Sequence, residues 1–207
     1  SIEIITDDLQ KDSVSHKLAG EILKSSKENA QIIKQLLIFS RKQSMEFRST
    51  DLNATLKEMD LLIKTQVSPQ IKLRIELDPA LKPVNGDVNM LKQVVMNITA
   101  NARDAIASTG EITIRTYNLR ASNENDPPYL KGNFSVIEIS DSGPGIPHDA
   151  LPHIFEPFYT KGKKGGIGLG LSIVKKIMDA HNGRIQVKSE RGNGTAFNMM
   201  IPVDISQ

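Results

Sequence analysis

The sequence predicts a two-layer α/β sandwich of the α+β class, preceded by one long bundle-forming helix. Three observations carry this reading. Apolar residues between Val14 and Glu46 recur at three-four spacing, as on one face of a helix. Short alternating runs downstream, such as Ile71 to Leu77, read as strands with one buried face. Strands and helices then mix without the regular βαβ alternation of a doubly wound sheet.

Composition narrows the function classes. The 207 residues leave room for one or two domains, and 39% hydrophobic content is enough for a core. A net charge of +2 gives no electrostatic reason to expect nucleic acid or a membrane surface as partner. No apolar run approaches the roughly 20 residues that span a bilayer. The opening SIEIITDDLQKDS lacks the basic-then-apolar order of a secretion signal. Cysteine is absent, which removes disulfide and thiol chemistry and fits a reducing cytosol, so a cytoplasmic location is expected. With no Trp and 4% aromatics, the core must be built from Ile, Leu, Val and Met.

Taken in order, the first helical seam is Leu18, Ile22, Ser25, Asn29, Ile32, Leu36 and Phe39, widened by Leu23, Ala30, Ile33 and Leu37. A lone helix this long cannot bury such a face, so it needs a partner, either the core of a single domain or, as a dimerising hairpin helix, a second copy of the chain. Ser49 to Asn53 offers helix-capping oxygens and marks a boundary, giving domains 1–48 and 49–207. A helix is expected from Asn53 to Gln66, then the strand Ile71–Leu77, ended by Asp78-Pro79. A long helix follows, from Val88 to Ser108. Its inward face is Leu91, Val94, Val95, Ile98, Ala102 and Ile106, while Asn97, Asn101 and Asp104 share another side. Gly110 is expected to stop it. Strands follow at Glu111–Leu119 and Phe134–Ser140, with a loop at 120–133 between them. A helix over Leu169–Asp179 ends at His181-Asn182-Gly183, and Arg191 to Gly194 turns strand Arg184–Glu190 into Thr195–Pro202. His148, His153 and His181 fall in turns or loops, without metal-ligand spacing, and read as surface residues.

The stretch Asp141 to Leu171 carries the chemistry. Its glycines let backbone approach a ligand closely, and GGIGLGL runs straight into a helix whose first N–H groups suit an anion. Lys161, Lys163 and Lys164 add positive charge beside it. Thr160 to Gly166 has no apolar side chain to anchor it and is expected to be a mobile lid. Neither a GxxxxGK[ST] loop nor a strand-borne GxGxxG is present.

Four segments in order, Asn97-Ile98-Thr99-Ala100-Asn101-Ala102, Asp141-Ser142-Gly143-Pro144-Gly145, Phe155-Glu156-Pro157-Phe158 and Gly166 to Leu171, resemble the N, G1, F and G2 boxes of sensor histidine kinases. These belong to the wider gyrase/Hsp90/histidine-kinase ATPase superfamily. The likeness covers roughly Asp51 to Val203, and a weaker one, through Leu36 to Gln43, covers the helix before it. It implies a Bergerat-type ATP-binding fold and a protein-histidine kinase that binds Mg-ATP and passes the γ-phosphoryl group to a histidine, with a response regulator downstream. By the same resemblance Asp141 accepts from the adenine amino group, with Gly143 and Gly145 beside the base and Thr195 supporting it. Asn101 would hold Mg²⁺. Lys161, Gly166, Gly168, Leu169, Gly170 and Leu171 would form the phosphate loop. Asn97 stands where ATP-hydrolysing relatives carry a Glu, and an amide cannot take a proton from water. Phe155 and Phe158 would anchor the lid or grip the N-terminal helix.

Two departures stand out. Asp104 occupies a place where many members have a phosphate-reaching Lys, leaving Arg103 and Lys161 as alternatives. His16 is followed by Lys17, not by the acidic residue of a phospho-acceptor site, and lies too near Phe39. The acceptor histidine is therefore not expected in this chain. Two rival readings are a Ser/Thr protein kinase of the anti-sigma-factor type and a non-catalytic nucleotide-sensing scaffold. The bundle-like helix speaks against the first and the intact boxes against the second.

Overall fold

A five-stranded mixed sheet organises the second of two units, Ser44–Gln207, the first being Ser1–Gln43. The computed structural model describes residues 15, 18–23, 25–26, 45–121, 132–160 and 167–204. Most of the expected N-terminal helix, residues 122–131 of the expected loop, His16 and residues 161–166 of the expected lid lie outside the described residues. In the first unit, residues 18–23 are helical, with Leu18 and Ile22 exposed.

The second unit runs β1 (Arg48–Thr50), α1 (Leu52–Glu58), α2 (Asp60–Gln66), β2 (Ile71–Glu76), β3 (Val84–Gly86), α3 (Val88–Ala105), β4 (Gly110–Ala121), β5 (Gly132–Asp141), a 3-10 turn (Leu151–His153), α4 (Gly170–Ala180), β6 (Arg184–Ser189) and β7 (Thr195–Pro202). The sheet order is β2-β4-β5-β7-β6. Only β2 and β4 run parallel; the other neighbours are antiparallel. This mixed sheet with its helices is the α+β sandwich expected from sequence.

Pleat register explains the core. Ile114, Ile139 and Phe197 align across three strands, as do Thr116, Ile137 and Met199. All six are buried, as are Leu91, Val94, Val95 and Ile98 of α3 and Ile173, Val174 and Ile177 of α4. Far from the site, Tyr117 and Leu119 pack on a smaller buried cluster of Ala121, Phe134, Val136 and Met200.

Several boundaries differ from expectation for identifiable reasons. The single helix over 53–66 is two helices meeting at Met59, which caps both and is buried. Asp51 is the N-cap of the first, accepting from the Ala54 N–H at 3.0 Å. Helix α3 ends three residues early because Ile106 turns extended and is buried, its N–H donating to the Arg103 carbonyl. Gly110 opens β4 instead of stopping a helix; a Cβ there would lie 2.6 Å from Ser142 Oγ. Strands β1 and β3, three residues each, are too short to show a period in sequence. They pair antiparallel, so residue 48, expected in the first domain, sits in a ladder of the second unit.

The reading of His181 as a surface residue is corrected. It is 3% exposed. Its Nδ1 lies 2.8 Å from the Ile177 carbonyl, and its Nε2 accepts from the Asp87 N–H at 3.0 Å. The Asp87 carboxylate in turn caps α3, accepting from the N–H groups of Asn89 and Met90, and accepts from Glu46 N–H at 3.0 Å. The ring of Phe47 stands 5.0 Å from that of His181. One imidazole thus joins the end of α4, the start of α3 and the segment leading into β1. The turn after it matches expectation: Asn182 has φ 52° and Gly183 N–H donates to the Met178 carbonyl at 2.8 Å.

Candidate nucleotide site

Asp141 ends β5 on the core-facing side of the sheet and is buried. Its carboxylate accepts from the Gly143 N–H at 2.8 Å and from the Thr195 N–H. Burial pushes its pKa above the ordinary carboxylate value, and those two N–H bonds oppose the rise. It is therefore a desolvated acceptor held in one orientation. Thr195 lies directly across from it on β7, and Ser189 directly across from Thr195 on β6. All three fall on one face of the sheet.

The Gly-Pro-Gly turn after Asp141 is locked from both sides. Ser142 N–H donates to the Glu111 carbonyl and Ser142 Oγ accepts from the Glu111 N–H, at 3.0 and 2.9 Å. Pro144 O accepts from Gly192 N–H at 2.8 Å, tying the turn to the β6–β7 hairpin. Gly145 has φ 72°, and a Cβ there would collide with the Glu190 carbonyl. Gly143 packs on the end of α3: a Cβ would come within 3.1 Å of Ala105 Cβ.

One and two turns back along α3 stand Asn101 and Asn97. Asn97 Nδ2 donates to the Gly170 carbonyl at 3.4 Å, and Asn101 Nδ2 lies 4.0 Å from where a Gly170 Cβ would be. The two amides therefore meet the start of α4. Leu169 precedes that helix without a side-chain cap; it is 1% exposed and its carbonyl accepts from Ser172 Oγ and Ile173 N–H. Leu169 seats the helix from within the core. Leu171 is half-buried in its first turn. The Gly168 carbonyl accepts from Phe158 N–H at 3.0 Å, joining the FEPF segment to the second glycine run. Phe155 is half-buried, while Phe158 is 59% exposed and takes φ 67°. Lys161 and Gly166 lie outside the described residues.

Arg103 faces elsewhere: Nη1 donates to the Gln66 carbonyl at 3.2 Å and Nε to Asp104 at 2.8 Å. Among the described residues no group of three or more His, Cys, Asp or Glu side chains could hold a metal. The site offers a buried carboxylate whose following turn packs on the end of α3, and, one and two turns back on that helix, two neutral amides at an uncapped helix start.

Residues 86–205 match the family described as histidine kinase-, DNA gyrase B- and HSP90-like ATPase. The chain belongs to that family. ATP is accordingly the nucleotide of this ATPase domain. It is 39% identical over 177 residues to a sensor kinase, CckA, of Brucella abortus (strain 2308), covering 84% of this chain and 19% of the relative. It is 34% identical over 194 residues to the signal transduction histidine-protein kinase AtoS of Escherichia coli (strain K12), covering 93% and 30%. The ATPase domain and its lead-in thus span less than a third of these two relatives. Among solved structures, the catalytic domain of histidine kinase ThkA matches with a TM-score of 0.59 and 32% identity, over 77% of this chain and 99% of that one. ThkA in complex with response regulator protein TrrA matches with a TM-score of 0.71 and 27% identity, over 97% and 55%.

Sequence reasoning missed two residues of this ATPase domain. Ser189 carries no motif, and His181 looked like a helix stop. Both make their bonds to distant segments: Ser189 to Ile146, 43 positions away, and His181 to Asp87, 94 positions away.

Proposed function

We propose that this chain is the ATP-binding, phosphoryl-donating part of a protein-histidine kinase. The observation that carries this is the buried Asp141 carboxylate, oriented by two backbone N–H groups, with the turn after it packed on the end of the same helix α3 whose Asn97 and Asn101 meet the start of α4. A carboxylate accepts but cannot donate, which suits the adenine amino group. The uncapped N–H groups of α4 and its positive dipole end suit the phosphates. Gly143 and Gly145 keep the turn close against the base, and Lys161 with Gly166, Gly168, Gly170 and Leu171 would border the phosphates.

The donor set fits Mg²⁺ arriving with its nucleotide: Asn101 contributes one hard amide oxygen, and a carboxylate-poor site leaves the rest to phosphate oxygens and water. Bound there, the ion would neutralise phosphate charge. Asn97, whose amide already donates to Gly170, has no basic group to activate water, which favours transfer over hydrolysis. In the transfer, the bond from the γ-phosphorus to the bridging oxygen breaks, a phosphorus–nitrogen bond forms on an acceptor histidine whose ring proton passes to its acidic neighbour, and ADP leaves. The site's contribution is positioning and charge neutralisation.

The N-terminal segment, residues 1–48, would belong to a dimerising phosphotransfer bundle made with a second copy, and the partner downstream would be a response regulator receiver domain. The place of work would be the cytoplasm. Among the described residues no helix is long and apolar enough to cross a membrane. The test supplies γ-labelled ATP, Mg²⁺ and a separate acceptor-helix polypeptide. Acid-labile, base-stable label on the acceptor is expected; acid-stable label would point to hydroxyl chemistry and sink the histidine assignment.

A further inference from the structure

Three hydrogen bonds converge on the hydroxyl of Ser189. Its oxygen lies 2.7 Å from Ile146 N, 3.0 Å from Gly194 O and 2.9 Å from Thr195 Oγ1. A serine hydroxyl has one proton and two lone pairs. The Ile146 N–H can only donate and the Gly194 carbonyl can only accept. With both of those bonds made, what remains for Thr195 is a lone pair of Ser189. The arrangement that satisfies every partner therefore has Thr195 as donor to Ser189.

This fixes the chemistry of Thr195. Its proton is turned toward β6, and only its lone pairs are left for the side it shares with Asp141. Thr195 is 6% exposed and stands directly opposite Asp141, to whose carboxylate its own N–H donates. We propose that Ser189 is a specificity-setting positioning residue for the nucleotide base. By taking the Thr195 proton it makes Thr195 Oγ1, like the Asp141 carboxylate, a group that only accepts. Two neighbouring acceptors match a purine with an amino group at position 6 and reject one with a carbonyl there, whose lone pairs would face theirs without a proton between them. The same hydroxyl, through Ile146 N–H, holds the turn that Gly145 begins against the last hairpin. This inference rests on the reading of Asp141 as the base contact.

The experiment compares ADP with inosine diphosphate, which replaces the amino group at position 6 by a carbonyl and carries a proton on the neighbouring N1, by calorimetric titration with Mg²⁺. Wild type should prefer ADP. In Ser189→Ala the Thr195 proton is released and can donate to the inosine carbonyl. ADP affinity should fall by about tenfold, and the ADP-to-inosine ratio should narrow by roughly fivefold or more. Ser189→Thr, which keeps the hydroxyl on a strand-compatible side chain, should restore the ratio. An equal loss for both nucleotides, or an unchanged ratio, overturns the proposal and leaves the Asp141 reading standing. A wild type without preference for ADP overturns both. Should Ser189→Ala fail to fold, Thr195→Val serves: ADP affinity should fall several-fold with inosine diphosphate spared, and equal losses again overturn the proposal.

Discussion

Asp141 and Thr195 face each other across β5 and β7, and the backbone N–H of Thr195 donates to the Asp141 carboxylate. The carboxylate is thus aimed before any nucleotide arrives. Asp141→Asn keeps an acceptor for the N–H groups of Gly143 and Thr195 but removes the charge. Losing a charge-assisted bond costs about 1.5–3 kcal/mol, or roughly ten- to a hundredfold in ATP affinity. Calorimetric titration of the folded variant checks this, and unchanged affinity would dismiss Asp141 as the base contact.

The same residue sets a pH dependence. Burial raises the Asp141 pKa in the folded protein, so between the unfolded and folded values the folded state holds the proton more tightly. Stability from this group is present at acid pH and is lost as pH rises through the folded pKa. At neutral pH the wild type carries a buried charge that Asp141→Asn does not. Without nucleotide, the variant's stability relative to wild type should rise with pH through the acid range and then level off. Denaturant midpoints measured across that range give the readout; a gap that shrinks with pH would contradict it.

The turn glycines separate strain from collision. Gly145 has φ 72° and its missing Cβ would strike the Glu190 carbonyl, whereas Gly192 has φ 87° and open space around it. Gly192→Ala should cost only the backbone strain, about 1–2 kcal/mol. Gly145→Ala should cost more and weaken ATP binding as the turn shifts. Equal denaturation midpoints for the two would show that the Gly145 turn yields freely.

His181 should matter for stability and little for ATP. It lies at the opposite end of α4 from Gly170 and satisfies the Asp87 N–H from a buried position. His181→Ala leaves that donor unpaired beside a cavity, at about 2–4 kcal/mol. Thermal unfolding should move while the affinity of the folded protein changes by less than about threefold. A tenfold affinity loss in folded protein would place His181 within the site's own machinery.

The chain alone should bind Mg-ATP yet fail to label itself. His16 has Lys17 beside it where an acidic neighbour would take the imidazole proton. Incubation with γ-labelled ATP should leave the protein unlabelled. Acid-labile label on His16 would overturn the view that its acceptor lies elsewhere.

Much of this was legible in sequence because it is local. Asn97 and Asn101 lie one turn apart on a helix whose apolar face is strongly periodic, and Asp141 closes a strand before a glycine turn. What was hidden depends on pairing between segments remote in the chain. Ser189 is an ordinary polar strand residue until β6 lies on β7 and Ile146 reaches it. His181 follows a helix as a surface residue would, and only the return of Asp87 buries it. The break at Met59 and the early end at Ile106 follow from side chains turning into the core, which helical periodicity does not register.

The sheet order has a consequence for synthesis. Asp141 sits on β5, between β4, already made, and β7, which comes last in the chain. A polypeptide leaving the ribosome emerges amino end first. Until residues 195–202 are free of the exit tunnel, β5 has an open edge and the Asp141 carboxylate lacks the Thr195 N–H that aims it. Asn97, Asn101 and the start of α4 can be in place by then, but the proposed base end of the site cannot. If Asp141 reads the base as proposed, the nascent chain is blind to adenine until its final hairpin docks, and a molecule clipped before β7 would be an ATPase fold that cannot tell which nucleotide it holds.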